Sequence, residues 1–193
     1  GHIDALGITF LVLFLLLVST GRPVRGAAAL GLSILAKLYP LLVVPMLLQM
    51  NRGIRRILIP AIPLLMLALG YMLYFEPTWG VMESLKTFSA RWEFNGGIFY
   101  LLHRLVESNE TAHLISGVMI ACCIAILAFL DRPFLEKVFW GFVCFTLLSP
   151  VVHPWYLTWL APLLALRWST PVFVFLGLSA VANVVVYQYR VYG

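Results

Sequence analysis

Residues 27–49 form the segment AAALGLSILAKLYPLLVVPMLLQ, and the path of this segment sets the topology of the chain. The segment is apolar over a length that could cross a bilayer, for which a helix needs about 20 apolar residues. Lys37 and Pro40 interrupt it near its middle, and a proline removes one backbone hydrogen bond from a helix. The segment therefore predicts either one kinked spanning helix or two half-helices that meet in a hairpin.

The composition of the whole chain indicates a membrane protein. Of its 193 residues, 62% are hydrophobic and 11% are charged, whereas soluble domains average about 45–50% apolar and about 25% charged residues. A chain this short cannot bury such an excess of apolar residues in a water-surrounded core. Three cysteines without a spacing pattern exclude a disulfide scaffold. The net charge of +5 indicates basic cytoplasmic loops rather than a nucleic-acid partner.

Seven apolar runs predict an all-α, polytopic transmembrane helix bundle with about seven spanning or re-entrant segments. We expect residues 1–193 to form a single transmembrane domain. Within residues 76–111 we expect an extracytoplasmic loop, in which an amphipathic helix from Trp79 to Trp92 lies in the membrane interface. The chain begins without an initiator Met or a basic signal-peptide region, so we expect a fragment of a longer protein. The runs are 5–19, 27–49, 57–75, 112–130, 134–148, 155–166 and 171–187.

The distribution of basic residues favours the hairpin over the kinked helix. In the hairpin, eight of the thirteen Lys and Arg residues share one side, four lie on the other, and Lys37 stays in the membrane. In the kinked helix, the twelve others split equally between the two sides. Because basic residues collect in cytoplasmic loops, the hairpin is the predicted topology. The eight are Arg22, Arg25, Arg52, Arg55, Arg56, Arg132, Lys137 and Arg167.

The same topology places all four histidines and six of the eight carboxylates on the extracytoplasmic side. Lys37 points towards them, and an ammonium at membrane depth costs several kcal/mol, so it could neutralise a lipid-borne phosphate. The alternative is a lysine that extends its stem to water. His153 stands between two prolines and could bind a phosphate or carry a proton. The alternative is a histidine within an interfacial aromatic belt.

Two further groups of residues could take part in chemistry on this side. Asp4, beside His2, could act as a general base or bind a sugar hydroxyl, or it could simply complement the helix dipole. Residues 91–95 combine a cation, a carboxylate and aromatic rings, which could hold a sugar and a phosphate or anchor the chain in the interface. The sequence contains no phosphate-binding glycine loop, no zinc-ligand spacing and no nucleic-acid motif, so we expect no metal and no nucleic-acid partner.

Four stretches resemble the polytopic GT-C glycosyltransferases that use polyprenyl-phosphate sugars. They are most similar to the bacterial polyprenyl-phosphomannose-dependent α-mannosyltransferases of glycosyltransferase family 87. The Lys-Leu-Tyr-Pro element at 37–40 is also similar to the eukaryotic GPI-anchor mannosyltransferase. The stretches are GHIDAL (1–6), GLSILAKLYP (31–40), RWEFNGG (91–97) and SPVVHPWYLTWLAP (149–162).

The resemblance implies inverting transfer of a hexose, mannose in the nearest family, from a polyprenyl-phosphate donor to a lipid or glycan acceptor. It places the protein in the bacterial plasma membrane as a multi-pass enzyme whose active face is extracytoplasmic and which needs no cofactor. The implied catalytic residues are Asp4 and His2; Lys37, Tyr39, Arg91 and His153 would hold the donor phosphate, and Trp92, Glu93, Asn95 and Trp155 the sugar or the acceptor.

One departure from the family pattern concerns the catalytic acid. In these families it usually lies in the first extracytoplasmic loop, which would precede Gly1 here. Asp4 would then be a sugar or acceptor ligand rather than the base.

A transporter or lipid flippase is the alternative function, because broken helices and an intramembrane lysine also mark transporters. Transporters tend to have two related halves with paired broken helices. The sequence shows one Lys-Leu-Tyr-Pro break without a partner and no internal repeat, which favours the transferase.

Overall fold

The computed structural model of the protein describes residues 2–72, 93, 94 and 96–192. This part of the chain is all-α, as expected, and its only pairing of extended residues is a bridge between Phe94 and Val151. The amphipathic helix predicted from Trp79 to Trp92 lies outside the described residues. The helices are α1 (His2–Ser19), α2 (Pro23–Ala36), α3 (Leu47–Met50), α4 (Arg55–Met72), α5 (Gly97–Val106), α6 (Asn109–Phe129), α7 (Phe134–Leu148), α8 (Leu160–Leu166) and α9 (Thr170–Tyr192), and 3-10 helices cover Tyr39–Met46 and Pro154–Trp159.

Two of the described helices, α4 and α6, are long and apolar enough to cross a membrane. Over the most apolar 18 residues of each helix, only 17% in α4 and 22% in α6 are buried inside the structure. Their remaining apolar surface therefore suits contact with lipid better than contact with water. The finer expectation of seven spanning or re-entrant segments stays a prediction.

Helices α1 and α2 form a tight antiparallel pair. Ser33 Oγ, in α2, donates a hydrogen bond of 2.7 Å to the carbonyl of Gly7 in α1. Further along, Gly26 lies so close to Val18 that an added Cβ would be 2.9 Å from its Cγ2 atom. The pairing of early residues of α1 with late residues of α2 defines the antiparallel direction, and small residues allow the close approach.

Helices α2 and α4 pack in parallel, as the predicted hairpin requires. Gly31 of α2 lies against Met66 of α4, and one turn later Leu35 lies against Gly70. Residue numbers therefore increase in the same direction along α2 and α4. Since the two helices are parallel, the chain must reverse between them. The reversal occurs where α2 ends at Ala36, and the 3-10 helix and α3 run back.

The second half of the hairpin differs from the expected half-helix. Eight residues, Tyr39–Met46, form a 3-10 helix, and only Leu47–Met50 are α-helical. The physical reason is the proline content: Pro40 stands at the start of the 3-10 helix and Pro45 lies inside it. Each removes a backbone donor and hinders the hydrogen bonding of an α-helix.

The order of elements in residues 109–192 repeats that of residues 2–72. In both, a long helix is followed by a shorter one, a 3-10 helix, a helix of at most seven residues and a second long helix. Both 3-10 helices have a proline in their first two positions. The expectation of a single broken helix without a partner is therefore wrong for the described chain. The sequence did not indicate the repeat because the two halves share only this proline-initiated break.

Helices α6 and α7 form the second antiparallel pair. Ser116 Oγ of α6 donates to the carbonyl of Leu148 at the end of α7, over 2.5 Å. At the opposite end, Lys137 Nζ of α7 donates to the carbonyl of Ala128 in α6, over 3.2 Å. The core between this pair and α1–α2 is filled by large apolar side chains, including Phe14, Met46, Phe139, Phe142 and Trp159.

The described bundle has two chemically different ends. We call them the Asp4 end, where α1 begins and α2 ends, and the Arg55 end, where α2 and α4 begin. The Arg55 end carries most of the predicted cytoplasmic cations on its surface, and Arg167 there pairs with Glu136 at 3.1 Å. The exposed arginines of this end are Arg22, Arg25, Arg52, Arg55, Arg56 and Arg132.

Lys137 departs from this pattern, since it was expected among the loop cations. It is only 5% exposed, and its Nζ donates to Gln49 Oε1 at 3.1 Å as well as to Ala128. Lys137 lies in the first turn of α7 and faces the carbonyl end of α6, where the helix dipole is negative. Those acceptors explain why the chain buries this ammonium.

Candidate functional site

An ion pair between Lys37 and Asp4 lies at the centre of the candidate site. Lys37 directly follows α2, where the backbone becomes extended (φ −162°, ψ 138°). Its Nζ donates to Asp4 Oδ1 at 2.6 Å, and Asp4 belongs to the first turn of α1. The two side chains are 24% and 8% exposed, respectively. The pair therefore joins the end of one helix to the start of another, at the boundary of the apolar bundle.

Trp159 is a second donor to the same carboxylate. Its Nε1 donates to Asp4 Oδ1 at 3.0 Å, and the indole is 1% exposed. The ring lies directly over Gly7, where an added Cβ would be 2.5 Å from the indole Cη2. Two donors thus fix the Asp4 carboxylate. Sequence reasoning predicted no contact for Trp159 and missed this one; the one signal was that a buried indole N–H needs an acceptor.

Two tyrosines surround the Lys37 ammonium. Nζ lies 4.6 Å from the centre of the Tyr156 ring and 5.3 Å from that of Tyr39. The two rings pack edge to face with their centres 4.8 Å apart. An ammonium this close to aromatic rings is attracted by their negative faces. Tyr39 was predicted as a phosphate ligand, whereas no role was predicted for Tyr156.

His153 lies beside this cluster between two aromatic rings. Its imidazole stacks on Phe94 at 4.5 Å and on Trp155 at 4.4 Å, measured between ring centres. Burial, and to a smaller extent the Lys37 ammonium, lower the pKa of His153 below its usual range. We therefore expect a neutral imidazole at pH 7, which can donate one hydrogen bond and accept another.

The segment around Phe94 is held against the connection between α7 and the second 3-10 helix. The N–H of Phe94 donates to the carbonyl of Pro150 at 3.0 Å, and its carbonyl accepts from the N–H of Val152 at 2.7 Å. An added Cβ at Gly96 would be 2.8 Å from the same Pro150 oxygen, so only glycine allows this approach. The neighbouring Glu93 carboxylate lies 3.6 Å from His103 Nδ1.

The structure brings most of the describable predicted residues together at the Asp4 end. Asp4, Lys37, Tyr39, His153 and Trp155 form one continuous cluster, because the Tyr156 ring contacts both Tyr39 and, at 5.2 Å between ring centres, His153. Glu93 adjoins the cluster through Phe94. His2 begins α1, and its side chain is outside the description. The predicted phosphate ligand Arg91 and the predicted sugar ligands Trp92 and Asn95 lie outside the described residues.

The cluster can hold a phosphate more readily than a metal ion. It presents an ammonium and an imidazole beside aromatic rings, and its Asp4 carboxylate already binds Lys37 and Trp159. Across the described residues, no group of three or more His, Cys, Asp or Glu could hold a metal ion.

Comparison with protein-family models, curated proteins and solved structures finds no match to this chain. The functional argument therefore depends on the geometry of this cluster.

Proposed function

We propose that the chain is part of a multi-pass membrane glycosyltransferase. It would move a hexose, with mannose the first candidate, from a polyprenyl-phosphate donor to a lipid or glycan acceptor at the extracytoplasmic face. The observation that carries the proposal is the Lys37 ammonium, held by Asp4 at the end of an apolar bundle and flanked by His153. This combination suits a phosphate that is attached to a membrane lipid.

The donors of the cluster match what a lipid phosphate requires. An ammonium has three N–H donors, and among the described residues only Asp4 accepts a hydrogen bond from Lys37 Nζ. The Lys37 side chain is 24% exposed, so it can reach a ligand at the rim. His153 can add a further donor. Together they would donate hydrogen bonds to a phosphate in a partly desolvated place, where such contacts are strong.

The depth of the cluster favours an enzyme acting on lipid headgroups. Asp4 lies in the first turn of α1, an 18-residue helix that is about 27 Å long at 1.5 Å per residue. Lys37 follows the last residue of α2. The cluster therefore lies at one end of the described bundle, which would suit a lipid phosphate headgroup, whereas transporter sites lie near the middle of the bilayer.

The proposed reaction is a displacement at the anomeric carbon. The acceptor hydroxyl gives its proton to a carboxylate, and its oxygen forms a bond to that carbon. The bond from the carbon to the phosphate oxygen breaks, and the electron pair leaves with the phosphate. Lys37 and His153 stabilise the charge that develops on the departing phosphate, and attack from the opposite side inverts the anomeric configuration.

The test is transfer of labelled mannose from polyprenyl-phosphomannose by the full-length protein in membranes. We expect Lys37→Met to lower kcat at least about 100-fold, the usual effect of removing a donor to the developing charge. Lys137→Met is the matched control, because it removes a buried ammonium at the opposite end of the described bundle. The site is refuted if wild type transfers sugar and Lys37→Met, His153→Ala and Arg91→Ala keep that rate. The function is refuted if wild type transfers no hexose.

One observation favours transport or lipid flipping as a second candidate. The described chain has two proline-initiated 3-10 helices, each preceded by a basic side chain, Lys37 or His153. Tyr39 and Tyr156 bring these two breaks into contact, and paired broken helices in related halves are typical of transporters. Proteoliposomes containing a fluorescent polyprenyl phosphate separate the candidates: flipping without sugar transfer supports the second, and transfer without flipping supports the first.

A further inference from the structure

Five exposed arginines gather at the Arg55 end of the described bundle. Residues 5–75 contain no Asp and no Glu, so these arginines have no acidic residue near them in the sequence. None of them forms an ion pair with a described residue. An added Cβ at Gly21 or Gly53, in the two turns that carry them, would meet nothing within 4 Å, so no described part of the chain covers these turns. We call the five the arginine cluster; they are Arg22, Arg25, Arg52, Arg55 and Arg56.

The parallel packing of α2 and α4 brings the two halves of the arginine cluster together. Arg22 and Arg25 lie where α2 begins, and the other three lie around the start of α4. The register between the two helices, continued to their starts, places Arg22 level with Ile57, directly after Arg56. Packed helices lie about 8–10 Å apart. Arginines of both helices can therefore reach the same headgroup.

The other charged groups of this end do not compensate the cluster. Arg167 pairs with Glu136 at 3.1 Å, and the ammonium of Lys137 is buried among its acceptors. Asp131 lies beside Arg132 in the connection between α6 and α7, and it forms no ion pair with the cluster. The five arginines therefore repel one another, and an anion from outside the described chain would relieve that repulsion.

Exposed apolar side chains alternate with the arginines. Val24 is 59% exposed, and Ile54 and Ile57 are 66% and 65% exposed. A surface that combines guanidinium groups with such side chains suits a lipid, because a water-soluble anion would leave the apolar groups in water. Residues 19–26 and 50–59 contain no aromatic side chain on which the bases of a nucleic acid could stack.

We propose that the arginine cluster binds the phosphodiester headgroups of anionic phospholipids, with phosphatidylglycerol as the simplest example. A guanidinium group can donate two parallel hydrogen bonds to the oxygens of one phosphate. Val24, Ile54 and Ile57 would contact the first part of the acyl chains. A zwitterionic headgroup carries its own ammonium, which the uncompensated arginines repel, so the surface selects anionic lipids.

The inference is independent of the proposed function, because the arginine cluster lies at the end of the described bundle opposite to Lys37. It agrees with the predicted cytoplasmic position of this end, since anionic lipids give the cytoplasmic leaflet its negative surface potential.

The test is binding of phosphatidylglycerol and phosphatidylcholine to the delipidated full-length protein in detergent micelles, with bound lipids counted by native mass spectrometry. We expect phosphatidylglycerol to bind at least about tenfold more tightly. The double variant Arg22→Gln, Arg56→Gln removes one cation from each helix. It should weaken phosphatidylglycerol binding at least about tenfold, because each basic residue near an anionic surface contributes about fivefold. Arg104→Gln is the matched control: it removes an exposed arginine of α5, away from the cluster, and should leave binding within about twofold.

Two further measurements separate the explanations. Arg22→Lys, Arg56→Lys keeps both charges and should retain the preference for phosphatidylglycerol, which distinguishes loss of charge from loss of fold. Glycerophosphoglycerol, the same headgroup without acyl chains, should not displace the lipid at equal concentration. The inference is overturned if the two lipids bind equally well to wild type, if the Gln double variant keeps the wild-type affinity, if the Lys double variant loses the preference, or if the free headgroup displaces the lipid.

Discussion

The Lys37 ammonium and the Asp4 carboxylate, 33 positions apart in the chain, meet at 2.6 Å where α2 ends and α1 begins. Both groups are largely withdrawn from water, and each compensates the charge of the other. A partly buried ion pair adds little stability relative to apolar residues, but an unpaired buried charge is costly. The pair therefore holds a partly buried ammonium at the Asp4 end of the bundle and adds little to the stability of the fold.

The first prediction concerns the cost of breaking this pair. Asp4→Asn leaves the Lys37 ammonium without its counter-ion, so we expect the free energy of unfolding to fall by about 2–4 kcal/mol. The double variant Asp4→Asn, Lys37→Met removes both charges and should regain most of that loss. Unfolding in detergent micelles, followed by circular dichroism, measures both values. Equal stability of the single and the double variant would contradict a charge-compensating role for Asp4.

The second prediction tests the packing of the indole that orients Asp4. In Gly7→Ala the new methyl group would lie 2.5 Å from the Cη2 atom of Trp159, so the ring must shift away from the carboxylate. We expect a loss of about 1–3 kcal/mol, typical of overpacking, and a changed tryptophan emission spectrum. Gly117→Ala is the control, since a Cβ there meets nothing within 4 Å. A helix-interior alanine should be neutral or stabilising. A neutral Gly7→Ala would disprove the close contact.

The reversal of the chain between α2 and α4 could be predicted from the sequence, but the contacts within the site could not. Lys and Arg collect in cytoplasmic loops, so their positions in the sequence predict which segments share a side of the membrane. That rule places Lys37 and Asp4 at the same end. It contains no information on which side chains touch there. The contact of Trp159 with Asp4 spans 155 positions and depends on how α1 packs against the second 3-10 helix.

Lys137 and Pro154 illustrate two other limits of sequence-based prediction. Charge counting treats every lysine near a helix end as exposed, yet Lys137 is buried because carbonyl and amide oxygens surround its Nζ. Pro150 and Pro154 flank an extended segment after the end of α7, and the sequence did not indicate that Pro154 begins a second 3-10 helix. Proline indicates that an α-helix is interrupted. The conformation of the residues that follow it depends on how the neighbouring helices pack against them.

The third prediction concerns pH. The pKa of His153 is lowered from its usual value of 6.5 by burial and by Lys37. Between that value and the lower folded-state pKa, the unfolded chain binds more protons than the folded one. Stability is therefore fully present above about pH 6.5 and is lost as the pH falls through the folded-state pKa. Unfolding measured from about pH 7.5 to 5 should show this loss in wild type and a smaller one in His153→Gln. Identical pH profiles would contradict the prediction.

The fourth prediction separates the charge of Lys137 from its volume. Its Nζ donates to Gln49 Oε1 and to the carbonyl of Ala128, so it ties α3 to the ends of α6 and α7. Gln49→Leu removes one acceptor and leaves a buried donor unsatisfied, which should cost about 1–3 kcal/mol of unfolding free energy. Lys137→Met keeps the stem and removes the ammonium, so it should be neutral or stabilising. Chemical unfolding in micelles measures both variants. A Lys137→Met variant that unfolds more readily than Gln49→Leu would mean that the charge itself stabilises this end.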